Sequence, residues 1–184
     1  MRRWILPAIP IVVLLALFVL FAGWSLKRDP DVKPAALVGR PVPETVLPML
    51  QGSGTGAVLD LKTAGRGRPM LINVFASWCA PCKIEHPKLM ALKAQGVTIV
   101  GVAYKDRPED TRAFLTELGD PFAFVLVDAD GQAGLDLGIT GAPETFAVNA
   151  MGTVTAKHSG VLLDDADVAR LVAAAQEVGP RNPR

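Results

Sequence analysis

The only two cysteines in this 184-residue chain stand three positions apart, in Trp78-Cys79-Ala80-Pro81-Cys82. A C-x-x-C pair that leaves a strand and opens a helix, beside a βαβ pattern, is a signature of thiol–disulfide exchange. A cysteine at a helix amino end sits among free amide donors and the positive end of the helix dipole, which favour thiolate over thiol. Cys79 is therefore expected to be the exposed attacking thiolate, and Cys82, almost a turn further in, the buried thiol that resolves the mixed disulfide. Pro81 fits early in the helix, where its missing amide costs little, and Pro87 is expected to kink the helix a turn later. Other chemistries fit less well. Haem attachment needs C-x-x-C-H, and Lys83 follows Cys82. Zinc wants four ligands, and His86 and His158 are the only histidines to complete a set. A Cu(I) module built on Cys79, Cys82 and one histidine suits soft thiolates and stays open as a binding-class alternative. An inert disulfide across so short a loop would contribute modestly.

These cysteines must be held by elements that the apolar pattern places around them. Met70–Phe75 reads as a central buried strand leading into the motif. A helix follows, with Ile84, Leu89, Met90 and Leu92 and a stop at Gly96; the almost wholly β-branched Val97–Val102 is a second strand. Asp110–Leu118 reads as a helix capped by Asp110 or Thr111 and stopped at Gly119. Phe122–Val127 is a third strand, closed by a turn at Asp128–Gly131. Thr145–Val148 and Val154–His158, flanking Asn149-Ala150-Met151-Gly152, read as a hairpin, and a last helix covers about Asp164–Val178. Gly52–Gly56 and Gly65–Arg68 read as breaks. This order predicts an α/β fold with a mixed sheet and flanking helices, without internal repeats.

Half of the residues are hydrophobic, and the mean hydropathy is +0.32. Much of this sits in Ile5–Trp24, which holds no charged residue. The run has the length of a membrane-crossing helix rather than the shorter core of a cleaved signal peptide. Its exit, Phe21-Ala22-Gly23-Trp24-Ser25, makes a poor cleavage site, and Trp4 and Trp24 bracket it as interfacial aromatics do. An uncleaved anchor over 1–28 is expected, followed by a Pro-rich tether over 29–43 and a globular domain over 44–179, with 180–184 as a tail. Arg2 and Arg3 precede the span while Lys27 and Arg28 follow it, so charge bias alone does not orient it; a short basic tail before a large carboxyl domain resembles a signal anchor that exports the domain. Without Arg2 and Arg3 there are 17 basic residues against 18 acidic ones, leaving no basic stripe for nucleic acid.

Gly138-Ile139-Thr140-Gly141-Ala142-Pro143-Glu144-Thr145-Phe146 resembles the G-V-x-G-x-P-E-T-F stretch of the cytochrome c biogenesis thiol–disulfide oxidoreductases of the CcmG/DsbE type. Asn73–Cys79, Glu85-His86-Pro87, Gly101–Asp106 and His158-Ser159-Gly160 are similar to further segments of that family, so the resemblance spans roughly residues 38–178. It implies a thioredoxin-like fold, with cis-Pro143 beside the Cys79–Cys82 pair and Glu144 next to it. It also implies a role for Glu85, and Trp78, Ala142 and Thr145 as supports of a substrate groove. Where thioredoxins carry a buried Asp, this chain has Asn73, so a carboxylate near the thiols must come from Glu85 or Glu144. Either acid could otherwise be a solvated charge on a helix face or strand edge; His86 is expected on the surface, and Trp78 to pack the junction and shield Cys79. The resemblance further implies a reductant of the C-x-x-C-H disulfide of an apocytochrome c, or of a maturation partner's disulfide. It implies recharging by a membrane thiol electron donor, no bound cofactor or metal, and a single-pass place in a bacterial inner membrane with the catalytic domain in the periplasm. A related tethered thioredoxin with another substrate is the enzyme-class alternative.

Overall fold

A computed structural model describes residues 5–25, 37–51 and 54–177. Arg2, Arg3, Trp4, Lys27, Arg28, the tether from 29 to 36 and the tail 180–184 lie outside the described residues. The chain divides into two units, Met1–Lys33 and Pro34–Arg184. Within the first, α1 (Ile5–Ser25) is a 21-residue helix. Several of its side chains lie outside the described residues, and among the described residues no helix is long and apolar enough to cross a membrane.

The second unit is a seven-stranded mixed sheet. Its strands are β1 (Val46–Gln51), β2 (Gly54–Asp60), β3 (Met70–Phe75), β4 (Ile99–Tyr104), β5 (Phe124–Asp128), β6 (Glu144–Val148) and β7 (Val154–Ser159), in the spatial order β2-β1-β5-β4-β3-β6-β7. β3, β4 and β5 run parallel, while β6 and β7 continue antiparallel on one side and β1 and β2 on the other. The helices are α2 (Ala80–Ala94), α3 (Pro108–Leu118), α4 (Gln132–Asp136) and α5 (Asp165–Gln176). Alternation along β3 explains the layering. Leu71 and Phe75 join one core with Leu89 and Leu92 of α2, Phe114 of α3 and Leu171 of α5. Met70, Ile72 and Val74 face the other core, with Leu126, Phe146, Leu61 and Leu137.

The chain joins this unit earlier than the expected boundary at 44. Pro41 bridges to Thr153, the Gly39 amide donates to the Val154 carbonyl at 2.8 Å, and Val42 is buried. Other elements differ from expectation as well. β1 ends before the break expected at Gly52–Gly56 and β2 begins within it, where no strand was expected, and α4 follows directly on the turn at Asp128–Gly131. α3 begins at Pro108 with Arg107 as its N-cap and no side-chain capping bond; Asp110 instead pairs with the Arg107 guanidinium at 2.6 Å, and Thr111 bonds to Asp106. Ile84, expected on the apolar side of α2, is exposed.

Gly101 in β4 faces two rings, Phe75 and Phe122, stacked 4.7 Å apart. A Cβ there would lie 2.9 Å from Phe75 Cε1 and from Phe122 Cγ. Both rings are buried, so neither can withdraw freely. Gly101→Ala is therefore expected to cost about 1–3 kcal/mol by overpacking, read as a lower urea midpoint with an unchanged slope.

Candidate active site

β3, buried throughout, runs straight into the cysteine motif and fixes where it emerges. Cys79 is the N-cap of α2, and its sulfur accepts a hydrogen bond from the Cys82 amide at 3.2 Å. Pro81 falls in the first turn of α2 and Pro87 inside it, as their spacing predicts. Cys79 and Cys82 form a disulfide, with their Cα atoms 5.3 Å apart. Cys79 is 3% exposed rather than open: its sulfur turns back onto the helix end, and Ala142 packs against the core cluster that contains both cysteines. Cys82 is buried, as expected.

The residues before the pair are braced by an aspartate that sequence reasoning did not single out. Asp106, just beyond β4, accepts from the Ser77 amide at 2.8 Å and the Ser77 hydroxyl at 2.7 Å, as well as from Thr111 Oγ1 and the Arg107 amide. Its position after an apolar strand next to a Pro-led helix was the available signal. Trp78 donates from Nε1 to the Lys105 carbonyl at 3.1 Å. It is 60% exposed, so it spans the junction on the outside instead of packing into it.

Glu85 is fully buried, not a solvated face of α2. Asn73 Nδ2 donates to Oε1 at 2.8 Å, and the Leu162 amide donates to Oε2 at 2.9 Å. Burial pushes its carboxyl up to about 7, against the lowering effect of these two donors. Asn73 Nδ2 also reaches Thr145 Oγ1 at 3.0 Å. β3, α2, β6 and the segment before α5 thus converge on one carboxyl group.

The Ala142–Pro143 peptide is cis, as the resemblance implies. Glu144 is buried as well, so it is not an edge charge. Its Oε1 accepts from the Thr140 hydroxyl at 2.8 Å, the Thr140 amide at 3.2 Å and the Ser159 hydroxyl at 3.3 Å. Lys157 Nζ lies 2.7 Å from Oε2, an ionic contact without the alignment of a hydrogen bond. The structure thus brings Glu85 and Thr145 together through Asn73, and holds Glu144 in a separate set of contacts. His86, expected at the surface, is buried: Nε2 donates to the Gly119 carbonyl at 2.9 Å, and the ring meets Phe114 edge-on. Among the described residues, no three His, Cys, Asp or Glu side chains come together to hold a metal ion.

A redox-capable pair at the head of a helix, on a central strand of a mixed sheet with helices on both faces, defines a thiol–disulfide oxidoreductase of thioredoxin-like architecture. The redoxin family matches residues 37–174. The chain is 41% identical over 167 residues to the thiol:disulfide interchange protein DsbE of Escherichia coli K12, with 88% of each chain covered. It is 39% identical over 139 residues to the thiol:disulfide interchange protein HelX of Rhodobacter capsulatus, covering 76% of this chain and 77% of that one. Among solved structures, a secreted Mycobacterium tuberculosis disulfide oxidoreductase homologous to E. coli DsbE aligns with a TM-score of 0.58 at 25% identity, over 71% of this chain and 96% of that one. A thiol:disulfide interchange protein of the thioredoxin family from Chlorobium tepidum gives 0.58 at 26% identity, over 73% and 94%. The chain belongs to the redoxin family, among the DsbE-type thiol:disulfide interchange proteins.

Proposed function

We propose that the protein is a membrane-anchored reductant of disulfides outside the cytoplasm, and that its substrate is the C-x-x-C-H pair of an apocytochrome c or the disulfide of a maturation partner. The observation that carries the reductive mechanism is Glu85, buried three residues after Cys82 on α2 and held by two neutral donors, the Asn73 side chain and the Leu162 amide. In the dithiol form, Cys79 attacks one sulfur of the substrate disulfide. That S–S bond breaks, a mixed disulfide forms, and the released substrate sulfur takes up a proton. Cys82 then gives its proton to Glu85 and attacks the Cys79 sulfur; the mixed disulfide breaks, and the second substrate sulfur leaves and is protonated. Two electrons pass to the substrate, and Cys79–Cys82 ends as the disulfide. A carboxyl with its pKa near 7 can take and return this proton close to neutral pH. Glu144 stands apart from this path, in its own set of contacts with Thr140, Ser159 and Lys157. The Cys82 amide on the Cys79 sulfur favours negative charge at the attacking atom. Trp78 and the Ala142–Pro143 segment border the pair and form the surface that the substrate meets. No bound cofactor or metal enters this cycle.

The anchor is Ile5–Trp24. The support is in the sequence: the run holds no charged residue, and its length of about 20 residues is what a segment needs to cross a bilayer's hydrocarbon core. This reading places α1 in a bacterial inner membrane and the catalytic unit in the periplasm, where an oxidising environment creates the need for a dedicated reductant. A membrane thiol donor returns Cys79–Cys82 to the dithiol. The test is a strain lacking the protein: c-type cytochromes should disappear from haem-stained gels and return with the wild type or an added small thiol, but not with Cys79→Ser. Normal cytochrome levels in that strain would overturn the substrate assignment, and release of the wild-type protein by alkaline carbonate would overturn the anchor.

A further inference from the structure

Lys157 is the most deeply buried cation in an ion pair among the described residues, its side chain 4% exposed against 1% for that of Glu144. A lysine so placed needs compensation, and every compensating contact converges on one stretch. Nζ lies 2.7 Å from Glu144 Oε2, donates to the Gly138 carbonyl at 3.2 Å, and sits 5.2 Å from the centre of the Phe146 ring, whose residue is its cross-strand partner. Glu144 passes the restraint on through Oε1, which holds both the amide and the hydroxyl of Thr140. The segment Gly138–Pro143 lies outside any helix or strand. Lys157 thus grips its first residue directly and its third through Glu144, while the Gly160 amide holds the Pro143 carbonyl at the far end. The segment ends in Ala142, which packs against the core cluster that holds both cysteines, and in cis-Pro143, which the family resemblance sets beside the pair.

We infer that Lys157 is a positioning residue, which through its paired hold on Gly138 and Glu144 fixes the 138–143 segment in the shape that receives the substrate. The inference rests on the reading of that segment as substrate-facing. Lys157 touches neither the cysteines nor the reacting sulfurs, so its loss should weaken docking and leave thiol chemistry intact.

The experiment uses the full chain in detergent, as wild type, Lys157→Met and Lys157→Arg. Four quantities are read: amide hydrogen exchange over 138–143, kcat and KM for reduction of a disulfide-closed C-x-x-C-H peptide, and the alkylation rate of Cys79 by iodoacetamide, too small a reagent to need the segment. Lys157→Met should exchange at least tenfold faster over 138–143 and raise KM at least fivefold, with alkylation within twofold of wild type. Lys157→Arg, which restores the charge and the donors, should return both values toward wild type. Unchanged exchange in Lys157→Met would overturn the inference alone, since the clamp would not be there. Faster exchange with an unchanged KM would overturn the substrate-facing reading and the inference with it. A parallel fall in alkylation would mark general disruption and also overturn it. Should Lys157→Met fail to fold, the double variant Glu144→Gln/Lys157→Gln, which removes both buried charges together, is read by the same criteria.

Discussion

Cys82→Ser should turn the protein into a trap for its own substrates. Cys79 keeps its place as N-cap of α2, with the residue-82 amide still aimed at its sulfur, so attack on a substrate disulfide proceeds. The hydroxyl at 82 is a far weaker nucleophile toward the mixed disulfide, and turnover should fall on the order of a hundredfold or more. In cells, Cys79 should then be recovered joined to other proteins, as adducts that vanish on reduction and that mass spectrometry identifies. Conjugates with C-x-x-C-H proteins, or with one maturation partner, are the expected result. A broad scatter of exported proteins would mean general disulfide exchange by a tethered thioredoxin. A complete absence of adducts would turn attention to metal binding by the cysteine pair.

Glu85→Gln should separate two effects of a single buried proton. Burial raises this carboxyl from 4.5 to about 7 in the folded disulfide form, so between those values the folded chain holds a proton that the unfolded chain has released. An acid raised in this way contributes most at low pH, and its contribution is lost as pH climbs toward 7. The oxidised wild type should therefore lose about 2–3 kcal/mol between pH 5 and 8 from this group, since each tenfold difference in proton affinity between the folded and unfolded chain is worth roughly 1.4 kcal/mol. Glu85→Gln, close in shape to the protonated acid, should lack that slope and be the more stable of the two at pH 8. Denaturant titrations of both proteins at the two pH values measure the difference. The kinetic effect runs the other way. Resolution needs the ionised carboxylate, so the wild-type rate should rise with pH through about 7, while the glutamine variant should be slow and lack that inflection. A variant that is both faster and more stable at pH 8 would remove Glu85 from the proton path.

Much of the fold can be read from the sequence where burial is two-sided. Met70–Phe75 is an unbroken apolar run because both sheet faces are covered, and the hairpin turn at Asn149–Gly152 has the turn residues it needs. β1 escaped notice for the opposite reason. It contains Pro48 and an irregularity between Pro48 and Leu50, pairs with β5 through Met49, and partners a glycine-bearing β2 at the sheet margin, so no alternation stands out. α4 is only five residues long, too short to show a helical period after its turn. At the site, the two cysteines and their order are local features and could be read directly. The burial of Glu85 is not local. Its two partners lie 12 and 77 positions away, and a charged residue on a helix gives no sign that a strand amide and a distant loop will close over it. Lys157 and Asp106 were missed for the same reason, since their roles are set by tertiary neighbours. His86, the next residue on α2, is buried by other distant neighbours, Phe114 and the Gly119 carbonyl.

The entry of the chain into the catalytic unit decides how it bears load. Gly39, Arg40 and Val42 exchange three backbone hydrogen bonds with Gly152 and Val154, beside the Pro41–Thr153 bridge, all at the turn end of the β6–β7 hairpin. Pro143 and Glu144 stand at its other end, about 14 Å away along β6 at 3.4 Å per residue. A pull arriving from the amino side, such as a tumbling domain exerts on its leash, is met first by those three bonds. They would have to rupture before tension reached the strand that carries Pro143. If the amino-terminal run anchors the protein as proposed, the unit would be held by the end that performs no chemistry, and tension would reach the redox end last.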